Sequence, residues 1–385
     1  MKVLQVLPEL NSGGVERGTV EFARHLVKTG HESLVMSAGG KLVPTLEQQG
    51  SQHLTFPVHK KSLLSLRHVL PLRRLIKSIK PDIIHVRSRL PAWLIYLAIG
   101  KFPRNQRPGI VSTFHGLYST NRYSAVMGKA DKVIAISDCV KEYITHFYPS
   151  VPASDITVVH RGVDTETFQA NQEPPTEWRE AFYQSFPVLE GKPLIIMPGR
   201  LSRWKGQTAF IDLIHRLKSS GQSCHGIIIG GTTPGKDHFK EELLSKIQTL
   251  NLSDDITLLG HRNDIEHLFR EASLVCNLSL RPEPFGRTVI EALAVGCPVL
   301  AFDMGGPAES LRYSLPTGLI SVTRKDANPR TEIEITDSIL ERLTQTAIQL
   351  LTSPPNFTLD SQFTLDTQAR KTLEVYQSVY NAVRR

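Results

Sequence analysis

A chain of 385 residues with 40% hydrophobic and 21% charged side chains and no low-complexity tract excludes wholesale disorder and a single small core. Two domains of under about 200 residues each is the expectation. Net charge is +8, and residues 1–170 carry 22 Lys and Arg against 12 Asp and Glu, so the positive excess lies wholly in that part, as suits an anionic partner.

A membrane surface, a phosphorylated glycan or a nucleic acid would each answer that charge, with solubility alone as the plainer reading. No aromatic-basic platform or helix-turn-helix pattern supports nucleic acid. The four cysteines, Cys139, Cys224, Cys276 and Cys297, form no C-x-x-C pair and sit in or beside apolar runs. They read as reduced, buried thiols of a cytoplasmic protein. The first residues, Met1 to Pro8, are interrupted too soon for a signal peptide. The longest apolar stretch, Leu90–Ile99, falls short of the roughly 20 residues a membrane span needs.

In chain order, Lys2–Leu7 reads as a buried strand, and Gly13-Gly14 ends the loop after it. Glu16–Thr29 has helical spacing through Val20, Ala23, Leu26 and Val27, and Gly30 closes the helix. His31–Ser37 is the next strand. A basic amphipathic stretch follows, with Lys60, Lys61, Arg67, Arg73, Arg74, Lys77 and Lys80 interleaved with Leu63, Leu64, Leu66, Leu70, Leu72, Leu75, Ile76 and Ile79. Such a helix can lie on an anionic membrane, and the same pattern describes a helix whose leucines belong to a core; Pro71 makes it bent or two-part. Asp82–Val86, Gly109–Phe114, Lys132–Ile136 and Ile156–Val159 read as further strands. Arg87, Arg89, Arg104 and Arg107 add positive charge around His85 and Trp93.

The rhythm then restarts. Pro193–Pro198, Cys224–Ile229, Ile256–Leu259, Leu274–Asn277 and Val299–Phe302 are strands with helices between them, and Phe363–Val383 reads as a closing amphipathic helix. Repeated β-α units imply parallel sheets covered on both faces. The expected fold is α/β, two Rossmann-like doubly wound domains facing a cleft. Residues 1–170 form the first, 171–360 the second, and the helix in 361–385 packs back on the first. Ligands of such sheets bind at the carboxyl ends of strands.

The motifs fall where that rule wants them. After the strand Leu274–Asn277 comes Arg281-Pro282-Glu283-Pro284-Phe285-Gly286-Arg287-Thr288-Val289-Ile290-Glu291-Ala292. Pro284 and Gly286 make a tight turn, and a helix begins near Thr288, whose free N–H groups suit a phosphate or sugar oxygen. Glu283 precedes the helix and Glu291 lies about a turn inside it. After Pro193–Met197 comes Pro198-Gly199-Arg200-Leu201-Ser202-Arg203-Trp204-Lys205-Gly206, where Arg200 offers a planar fork of donors and Lys205 a point charge. Two cations there suit a group whose negative charge grows during reaction. Phe114-His115-Gly116 ends another strand, with Tyr118, Arg122 and Tyr123 in the loop beyond. No D-x-D occurs, and no His/Cys run has metal-ligand spacing.

The spacing from Glu283 to Glu291 resembles the E-x7-E signature of the retaining family 4, or group 1, glycosyltransferases of the GT-B fold, and the likeness runs from the first strand to the last helix. It implies transfer of a hexose-type sugar from a nucleotide-sugar donor to a hydroxyl of a cell-envelope glycan or glycolipid, without a metal or other cofactor. By that likeness Glu283 touches the donor sugar and Glu291 the ribose, with Phe285 and Gly286 in the same donor-binding turn. Gly199, Arg200 and Lys205 hold the diphosphate, Gly13 and Gly14 pass the phosphates, and His115 faces the sugar. Arg262, in Gly260-His261-Arg262, and the pair Gly230-Gly231 lie where the family holds the base, so Arg262 acts through its main chain and its side chain is dispensable. The glycines of Asp303-Met304-Gly305-Gly306-Pro307 are assigned to packing. A narrower resemblance, through Val86–Trp93 and Thr113–Gly116, is to bacterial lipopolysaccharide-core glycosyltransferases, which implies work at the inner face of the cytoplasmic membrane. A UDP-sugar epimerase on the same fold, and a non-catalytic nucleotide-sugar-binding partner of a glycan-assembly complex, remain as alternatives.

Overall fold

A computed structural model describes every residue except 12, 61, 104, 105, 233, 234, 236, 327 and 385, and the side chain at 63. Lys61 and the Leu63 side chain of the basic stretch, and Arg104 of the positive group around His85 and Trp93, therefore lie outside the described residues. The chain divides into two compact units, Met1–Gly162 with Leu365–Arg385, and Val163–Thr364.

The first unit runs β1 (Lys2–Val6), α1 (Gly14–Lys28), β2 (Glu32–Ser37), α2 (Val43–Gln48), β3 (Gln52–Thr55), α3 (Val69–Ile79), β4 (Ile83–Val86), α4 (Arg89–Ile99), β5 (Gly109–Phe114), β6 (Lys132–Ala135), α5 (Asp138–Phe147) and β7 (Ile156–Val158). Among the described residues its seven strands pair in parallel in the order β3-β2-β1-β4-β5-β6-β7. The order reverses direction at β1 and β4, the switch point where such sheets open a crevice at their carboxyl ends. The inner strands are largely apolar because helices cover both faces, while the edge strand β3 is Gln-His-Leu-Thr. Ser137 caps α5, its hydroxyl oxygen accepting from the Val140 N–H at 3.0 Å.

The second unit runs α6 (Thr176–Ser185), β8 (Leu194–Pro198), α7 (Gln207–Ser219), β9 (His225–Ile229), α8 (His238–Thr249), β10 (Ile256–Gly260), α9 (Ile265–Glu271), β11 (Ala272–Asn277), α10 (Arg287–Ala294), β12 (Val299–Phe302), α11 (Gly305–Ser314), β13 (Leu319–Ile320) and α12 (Asp337–Thr352). Its described strands pair in parallel in the order β10-β9-β8-β11-β12-β13, with the switch at β8 and β11. Phe210, Ile214, Leu274, Leu300, Phe302 and Leu343 form its core. Both units are thus parallel-sheet, Rossmann-like α/β domains.

The final helix, α13 (Leu365–Arg384), belongs to the first unit. Val375, Tyr376 and Val379 join Val3, Phe22, Ile83 and Val111 in one core cluster. Each large side chain so buried contributes roughly 1.5–3 kcal/mol. The fit to β5 is close: a Cβ on Gly109 would stand 2.4 Å from Val379 Cγ1. The division falls at Gly162 and Val163 rather than at residue 170, and hydrogen bonding explains it. Gly162 N–H donates to Gln368 Oε1 at 2.6 Å inside the first unit, whereas Val163 N–H donates to Phe363 O at 2.9 Å inside the second.

The basic stretch is two-part, but it breaks ahead of Pro71. A 3-10 turn over Leu63–His68 leads into α3, where Pro71 occupies the first turn and so needs no hydrogen-bonded N–H. Both readings of its leucines hold for different residues: Leu72 and Ile76 are in the core, while Leu64, Leu66 and Leu70 are 71%, 53% and 60% exposed. One cysteine departs from expectation, since Cys139 on α5 is only half-buried; Cys224, Cys276 and Cys297 are buried, and all four are free thiols.

Candidate functional site

In the second unit the carboxyl ends of β8 and β11 bring the two basic-acidic motifs together. The chain leaves β8 through Gly199 and turns over Arg203–Lys205 into Gly206, which ends the turn at φ 84°. Only glycine fits there, because a Cβ would lie 1.9 Å from Leu278 O. That contact brings Lys205 beside the loop after β11, where its Nζ lies 2.7 Å from Glu283 Oε1. The Lys205 cation also lies 4.6 Å from the Trp204 ring centroid.

Glu283 is buried, and burial alone would push its carboxyl up. The Lys205 charge and hydrogen bonds from Lys205, Ser279 and Asn277 outweigh burial and hold it below its ordinary 4.5. The carboxylate is therefore an acceptor at neutral pH, oriented by Lys205 and by the Ser279 hydroxyl, which donates to the same Oε1. Arg200 differs: it is exposed, and among the described residues it has no carboxylate partner. It is bound through its main chain, its carbonyl accepting from Gln207 Nε2 at 3.0 Å.

The turn before α10 rests on the start of α11. Gly306 N–H donates to Glu283 O at 2.9 Å, and a Cβ on Gly305 or Gly306 would fall 2.6 Å from Glu283 O or 2.3 Å from Phe285 Cα. Gly286, at φ 87°, precedes α10 and would meet Pro307 Cγ at 2.7 Å. Phe285 is buried, its ring 6.3 Å from that of Phe363. Glu291 is buried inside α10, and Arg287 Nε, one turn earlier, donates to its Oε1 at 3.2 Å.

Gly230 N–H donates to Gly260 O at 2.8 Å, and Gly199 N–H to Ile229 O at 2.7 Å, so the loops after β8, β9 and β10 cross closely. The Arg262 side chain has a partner of its own. Its Nε donates to Asp264 Oδ1 at 2.9 Å, its second nitrogen reaches Oδ2, and Trp178 Nε1 donates to the same carboxylate at 2.7 Å. It thereby ties α6 to the start of α9.

In the first unit, Gly13 caps α1 and accepts from the Arg17 N–H at 3.0 Å, while Gly14 O accepts from an Arg161 guanidinium nitrogen. His115 follows β5. Burial first, then Arg161 and Arg87, hold its imidazole well below 6.5, so it is neutral at pH 7. A neutral ring offers one donor and one acceptor, and both of its buried nitrogens lack a hydrogen-bond partner. An unsatisfied buried pair of this kind calls for an explanation, which an ordered water, an ion or a catalytic role would each supply. Side-chain contacts hold the loop beyond: Tyr118 Oη accepts from the His115 N–H at 3.3 Å, and the Arg89 guanidinium lies 4.9 Å from the Tyr118 ring centroid and 5.5 Å from that of Tyr123.

Sequence reasoning passed over Ser279 and named Arg87 and His85 only for the charge around them. Ser279, four residues before Glu283, was visible as a hydroxyl in the same loop. Arg87, directly after β4, is buried with its Nε donating to Gln5 Oε1 at 2.9 Å; its place at a strand's carboxyl end was the available signal. His85, buried in β4, bonds Tyr376 Oη through Nδ1 and Thr113 Oγ1 through Nε2, both at 2.6 Å. Nothing local foretells the partner in α13, 291 residues away.

Residues 12–167 match the family model described as Glycosyltransferase Family 4, and residues 179–329 match Glycosyl transferases group 1. The chain is 31% identical over 193 residues to the lipopolysaccharide core biosynthesis mannosyltransferase LpsB of Rhizobium meliloti (strain 1021). That alignment spans 50% of this chain and 51% of LpsB, so it reaches about half the length of that relative. A crystal structure of a glycosyltransferase from Rickettsia africae ESF-5 superposes with TM-score 0.77 at 28% identity, covering 98% of both chains. Anabaena Alr3699/HepE in complex with UDP superposes with TM-score 0.74 at 21% identity over 98% of this chain and 100% of that one, a likeness of fold.

Proposed function

From the premise that the chain belongs to the family 4, group 1 glycosyltransferases of the GT-B fold, we propose that it transfers a hexose from a nucleotide-sugar to a hydroxyl of a cell-envelope glycan or glycolipid, with retention of anomeric configuration. The observation that carries this reading is the Lys205–Glu283 pair at 2.7 Å at the carboxyl ends of β8 and β11, its carboxylate buried, with Arg200, which has no carboxylate partner among the described residues, on the same loop.

Arg200 and Lys205 take the donor diphosphate and stabilise its growing charge, the task a divalent ion performs elsewhere, so no metal is required. Glu283, kept ionised and aimed by Lys205 and Ser279, accepts from sugar hydroxyls. Glu291 accepts from the ribose, and Gly199, Phe285 and Gly286 shape the approach. Main-chain atoms around Arg262 meet the base, and Gly13, Gly14 and neutral His115 serve the phosphates and sugar. In the transfer step the bond from the anomeric carbon to the diphosphate oxygen breaks. The acceptor oxygen bonds to that carbon from the same face, and the acceptor proton passes to the departing phosphate.

A lipopolysaccharide-type acceptor is supported by the likeness to LpsB, and a membrane-bound acceptor by the surface of the first unit. There Leu64, Leu66 and Leu70 stand exposed beside exposed Arg67, Arg74 and Lys77. Each such cation adds about 1 kcal/mol at an anionic leaflet. No helix among the described residues is long and apolar enough to cross a membrane.

The test is a thermal-shift screen of UDP, GDP, ADP and their hexose conjugates in EDTA. A ligand at 100 times its Kd adds about 2.7 kcal/mol. A shift with one nucleotide series, lost in Lys205→Ala, supports the reading; no shift with any series counts against it.

A further inference from the structure

The amino ends of β4 and β5, opposite the edge that carries the motifs, hold a second feature of the first unit. A cavity of about 440 Å³ opens there between the end of α3, the segment before β5 and the end of α13. Its lining carries four cations, Lys77, Lys80, Arg107 and Arg384, against one carboxylate, Asp82. That carboxylate is already committed: Oδ2 accepts from the Lys2 N–H at 2.8 Å and Oδ1 from Arg384 at 2.6 Å. Arg107 pairs with Asp131 at 2.8 Å. Lys77 and Lys80 have no carboxylate partner among the described residues, and Phe102 and Tyr380 give the cavity an aromatic wall beneath Lys77 and Arg384.

Beyond those two pairs the surrounding sequence does little to relieve this charge. Between residues 48 and 130 the sole acidic residue is Asp82, against fourteen Lys and Arg. Concave walls of low dielectric focus the potential of such a cluster and raise the local concentration of anions.

The backbone adds an independent sign. Among the described residues three that are not glycine take positive φ, namely Lys80 (50°), Asn171 (58°) and Asn251 (53°). Asparagine tolerates this region because its short amide bonds the local backbone, whereas lysine gains no such compensation. Lys80 sits at the end of α3, its N–H donating to Ile76 O at 2.9 Å, a position where glycine is the unstrained choice. Strain retained at a residue whose ammonium lines a basic cavity points to use of that ammonium.

We propose that this cavity binds a phosphate group, either free or borne by a lipid headgroup, at Lys77 and Lys80 with Arg384 and Arg107 closing around it. The site is separate from the carboxyl-end motifs and does not depend on the transferase reading. Lys77 belongs both to this lining and to the exposed face of α3 that carries Leu70 and Arg74, so a headgroup bound here would lie beside that face.

The test uses the full chain carrying Arg200→Ala and Lys205→Ala, which removes the proposed donor-phosphate cations. Inorganic pyrophosphate is titrated by calorimetry, and vesicles of phosphatidylglycerol in phosphatidylcholine by co-sedimentation, with pure phosphatidylcholine as control. Lys80→Gly is introduced next, alone and with Lys77→Gln. Because glycine relaxes the αL backbone, Lys80→Gly should hold or raise the apparent Tm by about 1–3 °C, so lost binding cannot be lost folding. A tenfold or greater loss of pyrophosphate affinity identifies a free-phosphate site. Pyrophosphate that does not bind, with vesicle affinity falling tenfold, identifies a lipid headgroup. Binding to neither probe, or affinities within twofold of the parent after both substitutions, overturns the proposal.

Discussion

Replacing Lys205 by Met removes the ammonium but keeps most of the side-chain volume, and its cost can be worked from the pair itself. Lys205 and Glu283 are 2.7 Å apart, with side chains 18% and 9% exposed, so solvent cannot take over when one partner is lost. Breaking a buried pair costs about 3–5 kcal/mol. The stranded carboxylate has an escape, which is to take a proton. From its ordinary 4.5 to pH 7 that costs about 3.4 kcal/mol at 1.36 kcal/mol per pH unit. Lys205→Met should therefore destabilise the second unit by about 3 kcal/mol at pH 7 and by under about 1 kcal/mol at pH 5.

The wild-type sign runs the other way. A carboxyl whose folded pKa is depressed contributes stability above its unfolded value, and that stability is lost only as the pH falls through the folded pKa. Urea unfolding, followed by Trp178 and Trp204 fluorescence in a Trp93→Phe background, reads the difference. Adding Glu283→Gln to Lys205→Met should recover most of the deficit, since the amide has no charge to strand. A deficit equal at pH 5 and pH 7, and unchanged in the double variant, would refute the assignment of Glu283 as a carboxylate held ionised by Lys205.

Other expectations concern both units. Gly206→Ala places a methyl 1.9 Å from Leu278 O at φ 84° and should cost about 3 kcal/mol in urea unfolding while also lowering turnover. His85 is buried and held well below 6.5, by burial first and then by Arg87 and His115. A His kept neutral in the fold contributes stability that is present above 6.5 and lost as the pH falls below it. The first unit should thus lose about 1.4 kcal/mol between pH 7.5 and 5.5 from this residue, and His85→Gln should flatten that slope. Tyr376→Phe removes the phenol that meets His85 Nδ1 at 2.6 Å and should cost about 1–2 kcal/mol by differential scanning calorimetry, with donor binding unchanged. Leu66→Asp with Leu70→Asp should weaken binding to phosphatidylglycerol vesicles tenfold or more with little effect on Tm, because both side chains are exposed.

The fold was legible because most of its strands are apolar runs separated by helical spacing and glycine stops, and the carboxyl-end rule then located the motifs. Gln52–Thr55 was missed because this edge strand, Gln-His-Leu-Thr, is half-buried at its centre, exposed at its ends and lacks an apolar run. The Glu283 neighbourhood was legible as residue types but not as contacts. Gly206 against Leu278 and Gly305-Gly306 against Glu283-Phe285 are close approaches that set the geometry, and a sequence shows only that glycines stand there. The pairing of the Arg262 side chain was not anticipated because Asp264, two residues on, was not weighed; a bidentate Arg–Asp pair at that spacing is a local signal. Long-range pairs such as His85 with Tyr376 depend on α13 returning to the first unit and have no local signature.

The most direct measurement is release of nucleoside diphosphate from UDP-, GDP- and ADP-linked hexoses in EDTA, with and without a cell-envelope glycolipid extract, for the wild type and Lys205→Met. The account predicts release from one nucleotide series, raised by the extract, and a fall in turnover of roughly 10²–10³ in the variant. Release that requires added Mg²⁺, or that proceeds equally well in Lys205→Met, would contradict it.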